Sequence, residues 1–138
     1  MRLRIIFLFM AFFLMALGTI GNGVCEDAGA NLKDLIGIWK PDTKDDMLTS
    51  VIKFYDDGTY RIAYDAEKIE TRPIDKGQIR LEGEDITFIP SESPACKTNI
   101  GKYTIKKIEK GKFEFIVQED PCDRRRCLFG RKLIQIKP

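Results

Sequence analysis

The sequence predicts an all-β domain, an eight-stranded antiparallel up-and-down barrel behind an N-terminal signal peptide. Three observations predict it. From Leu35-Ile36-Gly37-Ile38-Trp39 to the C-terminus the chain alternates apolar and polar residues in short runs, the period-2 pattern of half-buried strands. Asp56-Asp57-Gly58, Glu82-Gly83-Glu84-Asp85 and Lys110-Gly111 mark tight turns, because Gly and Asp are the residues such turns favour. The other connections are long. In a meander alternate connections share an end, so the tight turns close one end of the barrel and the long loops rim a mouth at the other.

The elements follow in order. Residues 1–23 read as a signal peptide: Arg2 and Arg4 are a positive start, Ile5 to Leu17 an apolar run, and Gly21 with Gly23 a small-residue cleavage pattern. The apolar run is shorter than the roughly 18–20 residues a spanning helix needs, so no membrane span is expected after cleavage. Cys25 raises lipid anchoring as an alternative, which ranks below ordinary secretion into a periplasmic or extracellular space. Residues 24–34 form an N-terminal segment, with a short helical turn expected over 28–35 to plug the barrel end. The barrel domain is 35–138. Its strands are expected at 36–40, 48–55, 59–65, 76–81, 85–90, 102–107, 112–118 and 127–136. In the last of these, Phe129, Arg131 and Leu133 share one face and Leu128, Lys132, Ile134 and Ile136 the other; a one-residue slip exchanges them.

Composition bounds the function. The chain has 23 Lys and Arg against 21 Asp and Glu, but the signal segment holds Arg2 and Arg4 and no acid. The remainder is therefore formally neutral and gives no electrostatic reason to expect nucleic acid as a partner. There is no histidine, which removes the usual general base, every His-paired nucleophile and the commonest metal ligand. There is no phosphate-cradling glycine loop. The expectation is a non-catalytic protein without a cofactor or metal. Asp42, Asp45 and Asp46 lack the spacing of a calcium loop and read as a polar turn.

Four cysteines in an exported domain imply two disulfides and allow three pairings. The hairpin about Lys110-Gly111 brings Cys96 and Cys122 to its base. A bridge there closes a loop of about 27 residues, worth roughly 3 kcal/mol in the loop-entropy model. Cys25–Cys127 then follows by elimination.

Gly37-Ile38-Trp39 opening an eight-strand meander resembles the lipocalin-like, or calycin, barrels. The residues Phe54-Tyr55-Asp56-Asp57-Gly58-Thr59-Tyr60-Arg61, Cys96, Gly101-Lys102-Tyr103 and Asp120-Pro121-Cys122-Asp123-Arg124-Arg125 look like those of small exported bacterial members of that group. The resemblance spans about residues 32–136 and implies that Gly37 and Trp39 build the closed end, with Arg131 packed over Trp39 by a cation–π contact. It also implies binding of a small apolar or amphiphilic molecule through the mouth. Neither Gly-x-Trp nor Asp-Gly-Thr-Tyr is specific alone; their order and spacing carry the likeness.

Candidate ligand-binding residues are those expected on the interior face: Tyr60, Tyr64, Tyr103, Phe88 and Phe115, the tyrosines supplying hydroxyls to orient a guest. An eight-stranded barrel is either filled by its own side chains or holds one small ligand. Seven aromatics among the inward positions favour the filled alternative. Arg124, Arg125 and Arg126 lie on the mouth. They read as a solvated loop balanced by Glu119, Asp120 and Asp123, or as the contact for an acidic extracytoplasmic protein partner. A protein-binding or protease-inhibitor-type barrel acting through its loops is the alternative function.

Overall fold

Eight antiparallel strands close into one barrel in the order β1-β2-β3-β4-β5-β6-β7-β8, each paired with its neighbour in sequence and β8 with β1. The structure is a computed structural model that describes residues 30–44 and 50–138. The expected signal peptide, Cys25, Asp45 and Asp46 lie outside the described residues. The strands are β1 Gly37–Pro41, β2 Val51–Phe54, β3 Thr59–Ala63, β4 Asp75–Glu82, β5 Asp85–Glu92, β6 Gly101–Glu109, β7 Lys112–Glu119 and β8 Lys132–Lys137. The three tight turns fall at one end and the longer connections at the other.

The tight-turn end is closed by α1, Leu32–Leu35. The Asn31 side chain caps it by accepting from the Lys33 N–H at 3.0 Å, which supplies one of the partners a helix start lacks. Fully buried Leu35 plugs the barrel, and its carbonyl accepts from the Trp39 indole N–H at 2.6 Å. Gly37 has φ +123°, and a Cβ there would meet the Lys137 carbonyl at 2.4 Å. A side chain at this position would push β8 off β1, so glycine is what lets the first and last strands close.

The register settles the last strand. Phe113 pairs with Leu133, Pro41 with Leu133 and Trp39 with Gln135. Leu133 is thus inward and buried, whereas Ile134 and Ile136 face out. Trp39 meets Phe113 edge-on, with centroids 5.3 Å apart. The expected Arg131–Trp39 stack is not formed. Arg131 precedes β8, four residues from the position opposite Trp39, or about 13 Å along an extended chain. It lies toward the loop end, where its buried Nε has no hydrogen-bond partner among the described residues.

A second correction concerns 123–129, which is the helix α2, Asp123–Phe129, and not the end of a loop followed at 127 by the start of the last strand. Arg125, Leu128 and Phe129 are its buried residues. That i, i+3, i+4 spacing is the helical period, and it prevails over the period-2 reading because all three side chains then face the barrel. Phe129 enters from the loop end and packs on Phe88, Phe115 and Tyr103, with centroids 4.5, 4.9 and 5.3 Å away. With Phe54, Tyr60 and Phe113 also fully buried, side chains fill the interior.

A smaller core lies outside the barrel. The β3–β4 loop folds back so that Ile69 is buried with Ile38, Val51 and Ala63. Glu70 pins it there, accepting from Lys53 Nζ at 2.6 Å, the Tyr55 hydroxyl at 2.9 Å and Arg61 Nη1 at 2.6 Å. This fixes the loop that walls one side of the site described next.

Candidate functional site

The loop end is organised around one buried guanidinium. Arg125 projects from α2 and its side chain is wholly buried. Its Nε donates to Asp120 Oδ2 at 2.6 Å and its Nη2 to Asp120 Oδ1 at 2.9 Å, a two-point clasp. Nη2 also donates to the Asn99 carbonyl at 2.5 Å, and Nη1 approaches Asp75 Oδ2 at 3.4 Å. The Tyr60 hydroxyl donates to the same Asp75 oxygen at 3.1 Å, and the Tyr103 hydroxyl donates to Asp120 Oδ2. The Cys122 N–H, one residue before α2, donates to Asp120 Oδ1 at 2.8 Å. Strand ends, loops and helix are therefore joined through one polar cluster.

Two features of sequence make the cluster buildable. Gly101 has no Cβ, and one would lie 2.4 Å from Asp120 Oδ2 and 2.8 Å from Arg125 Nε; the salt bridge rests on bare backbone. The Cys96–Cys122 disulfide ties the β5–β6 loop to the start of α2, as the hairpin argument expects. Cys127 is exposed and unbridged among the described residues, and its expected partner Cys25 lies outside them.

Burial works against the Arg125 charge, but the hydrogen bonds and field of Asp120, with Tyr60 and Asp75 beyond, outweigh it and hold the group firmly protonated. Burial pushes the Tyr60 and Tyr103 hydroxyls above their usual range, and the carboxylates they donate to push them further. Asp75 behaves differently. Burial raises its pKa, and Ser93, Arg125 and Tyr60 only partly offset this. The Ser93 hydroxyl is the chief of these, holding the carboxylate toward its charged form.

Asp75 is also part of a cleft of about 290 Å³ at the loop end, near the lower limit of the roughly 300–1,000 Å³ usual for ligand pockets. Ile62, Ile74, Ala95 and Cys96 give it apolar walls, while Tyr64, Asp123 and Arg124 lie toward solvent. Arg124 donates to the Tyr64 hydroxyl and lies over its ring at 5.5 Å. A larger surface depression along Arg61, Glu70, Lys76 and Glu92 is polar, and those four charges pair with one another across it.

The expected interior site is thus divided. Tyr60, Tyr103, Phe88 and Phe115 are buried in the packed barrel, the two tyrosines with their hydroxyls bound to Asp75 and Asp120. Tyr64 is 45% exposed, because β3 ends at Ala63 and the chain turns outward. Of the three arginines, Arg124 borders the cleft, Arg126 pairs with Asp123 in solvent, and Arg125 is internal. Sequence reasoning missed Asp75 and Asp120. The available signal was the helical spacing of Arg125 with Leu128 and Phe129, since an inward arginine requires buried acids opposite. Asp42 pairs with Lys112 Nζ at 2.5 Å, and the described residues contain no cluster of acids or cysteines fit to hold a metal.

No family model, curated protein or solved structure matches the chain. The fold and the cleft are accordingly what bears on function. Among the described residues no helix is long and apolar enough to cross a membrane, and the disulfide is consistent with an extracytoplasmic location.

Proposed function

We propose that the protein is an exported, non-catalytic lipocalin-like barrel that binds a small apolar or amphiphilic molecule at its loop end. The supporting observation is the pairing of a filled barrel with an apolar-walled cleft above it. The guest is held between the β3–β4 loop, the β5–β6 loop and α2. This moves the binding role from the barrel interior to Ile62, Ile74, Ala95 and Tyr64. The buried Arg125 cluster and the disulfide hold the loops in place, so little ordering is left for the ligand to drive.

Native mass spectrometry of the exported protein, before and after organic extraction, tests the reading. A reproducible adduct that is lost on extraction supports it. A clean mass that stays unchanged after incubation with a broad amphiphile mixture counts against it.

Exposed Tyr64 in contact with Arg124 supports a second reading, a loop surface for an extracytoplasmic protein partner, since aromatic and arginine side chains dominate protein interfaces. Binding of a partner that Tyr64→Ala and Arg124→Ala abolish, together with a clean native mass, would favour it.

A further inference from the structure

A row of like charge crosses the outer face of the barrel. Lys53 on β2 is the register partner of Arg61 on β3, Arg61 of Lys76 on β4, and Lys76 of Glu92 on β5. Three cations thus stand side by side, an arrangement that repels unless acids are brought to it. Two acids meet it. Glu92 pairs with Lys76 at 2.9 Å, and Glu70, carried in by the folded-back β3–β4 loop, takes both Lys53 and Arg61. The same loop then adds Arg72, which has no ion pair or side-chain hydrogen bond among the described residues. Lys53, Arg61, Arg72 and Lys76 against Glu70 and Glu92 leave an excess of two positive charges. Asp57 and Asp75 are directed elsewhere, the first to Thr59 in its tight turn and the second inward to Tyr60 and Arg125.

The charge gathers at the polar depression of about 660 Å³ that Arg61, Glu70, Arg72, Lys76 and Glu92 line, a volume within the range of ligand sites. Its chemistry is two-sided. Arg72 offers a planar fork of donors that matches a carboxylate at two points. The Thr71 hydroxyl beside it is likewise without a partner among the described residues. Glu70 and Glu92 are exposed, and their carboxylates have lone pairs left to accept from hydroxyls. Pro73 and Pro94 add rigid apolar faces to the lining.

The two loops that carry these groups are tied together, the Ala95 N–H donating to the Ile74 carbonyl at 3.3 Å. The lining is therefore arranged before any ligand arrives, which lowers the cost of binding. On these grounds we propose that the depression is a second binding site, for an acidic sugar. Its carboxylate lies at Arg72 and Thr71, its ring hydroxyls donate to Glu70 and Glu92, and a C–H face rests against Pro73 and Pro94. The depression shares no lining residue with the loop-end cleft, so this inference does not depend on the small-molecule reading above.

The test titrates the exported, oxidised protein with glucuronate, glucose and acetate at low salt, following backbone amides by NMR. Glucuronate carries both the carboxylate and the hydroxylated ring, and the other two probes carry one each. Glucuronate is expected to bind about fivefold or more tightly than either, with shifts at Thr71 and Arg72. Its preference over glucose should shrink as salt rises. In Arg72→Gln that preference should fall to about twofold or less. Arg80→Gln, which removes an exposed arginine of β4 outside the depression, should leave it unchanged. Glucose binding as tightly as glucuronate would overturn the role of the charge excess, and acetate doing so would overturn the role of the sugar ring. An equal loss in both variants would reduce the effect to general surface charge and overturn the assignment. Absence of binding, or shifts centred on Ile62 and Ala95 in the cleft, would overturn it too. Arg72 is exposed, so its substitution leaves the fold intact.

Discussion

Arg125 grips Asp120 at two points, Nε to Oδ2 and Nη2 to Oδ1, with both side chains fully removed from water. This clasp links α2 to the end of β7, and with the Asn99 carbonyl it reaches the β5–β6 loop. A buried pair adds little net stability over an apolar replacement, but removing one member strands the other. Arg125→Met should therefore cost about 3–5 kcal/mol in urea unfolding. Arg124→Met and Arg126→Met remove exposed charges and should each change stability by about 1 kcal/mol or less. Equal effects at the three arginines would show that they act as one solvated run.

Gly101 gives an independent check on the same cluster. Its missing Cβ leaves the space into which Asp120 and Arg125 fit. Gly101→Ala should cost about 1–3 kcal/mol, the usual penalty for overpacking. A substitution with no effect would mean that the clasp can shift without loss.

Phe129 carries the closure of the loop end. Its ring touches Phe88, Tyr103 and Phe115. Phe129→Ala should destabilise the domain by about 3–5 kcal/mol and leave an apolar cavity able to take xenon or benzene. Binding of such probes to the wild-type interior would contradict a filled barrel.

Asp75 sets a pH signature. Its pKa stands above the ordinary 3.8 in the folded protein, chiefly because burial disfavours its charge. The folded state thus holds this proton more tightly than the unfolded chain. The associated stability is present below the ordinary value and is lost as pH rises through the raised one. Asp75→Asn keeps a neutral group at every pH. Relative to that variant, wild type should gain stability as pH falls through the raised pKa toward the ordinary 3.8. Asp42, Asp57, Asp65 and Glu70 are shifted the opposite way by their hydrogen-bonding partners, but they are common to both proteins and cancel in the difference. Thermal melts of the two proteins at matched pH values measure it.

Strand order, the position of the tight turns, the plug at the closed end and the Cys96–Cys122 bridge were legible in the sequence because each depends on local pattern. Alternation marks strands, Gly and Asp mark turns, and a hairpin brings its two ends together. The site was less legible. Arg124, Arg125 and Arg126 are adjacent and identical, and only the turn of a helix separates their fates. Asp75 opens a strand after a loop rich in charge, where nothing local distinguishes a buried acid from its exposed neighbours. Tyr64 continues the inward alternation of Tyr60 and Ile62, yet β3 stops one residue before it. Pairing such residues needs contacts 50 positions apart, as between Asp75 and Arg125, and period alone does not carry those.

The account places the guest above the barrel and not within it. Methyl-resolved NMR of the wild-type protein titrated with the broad amphiphile mixture tests this most directly. Shifts confined to Ile62, Ile74 and Ala95, on the cleft walls, are the predicted result. Shifts centred on Ile52, Ile86 and Ile105, deep in the barrel core, would contradict it.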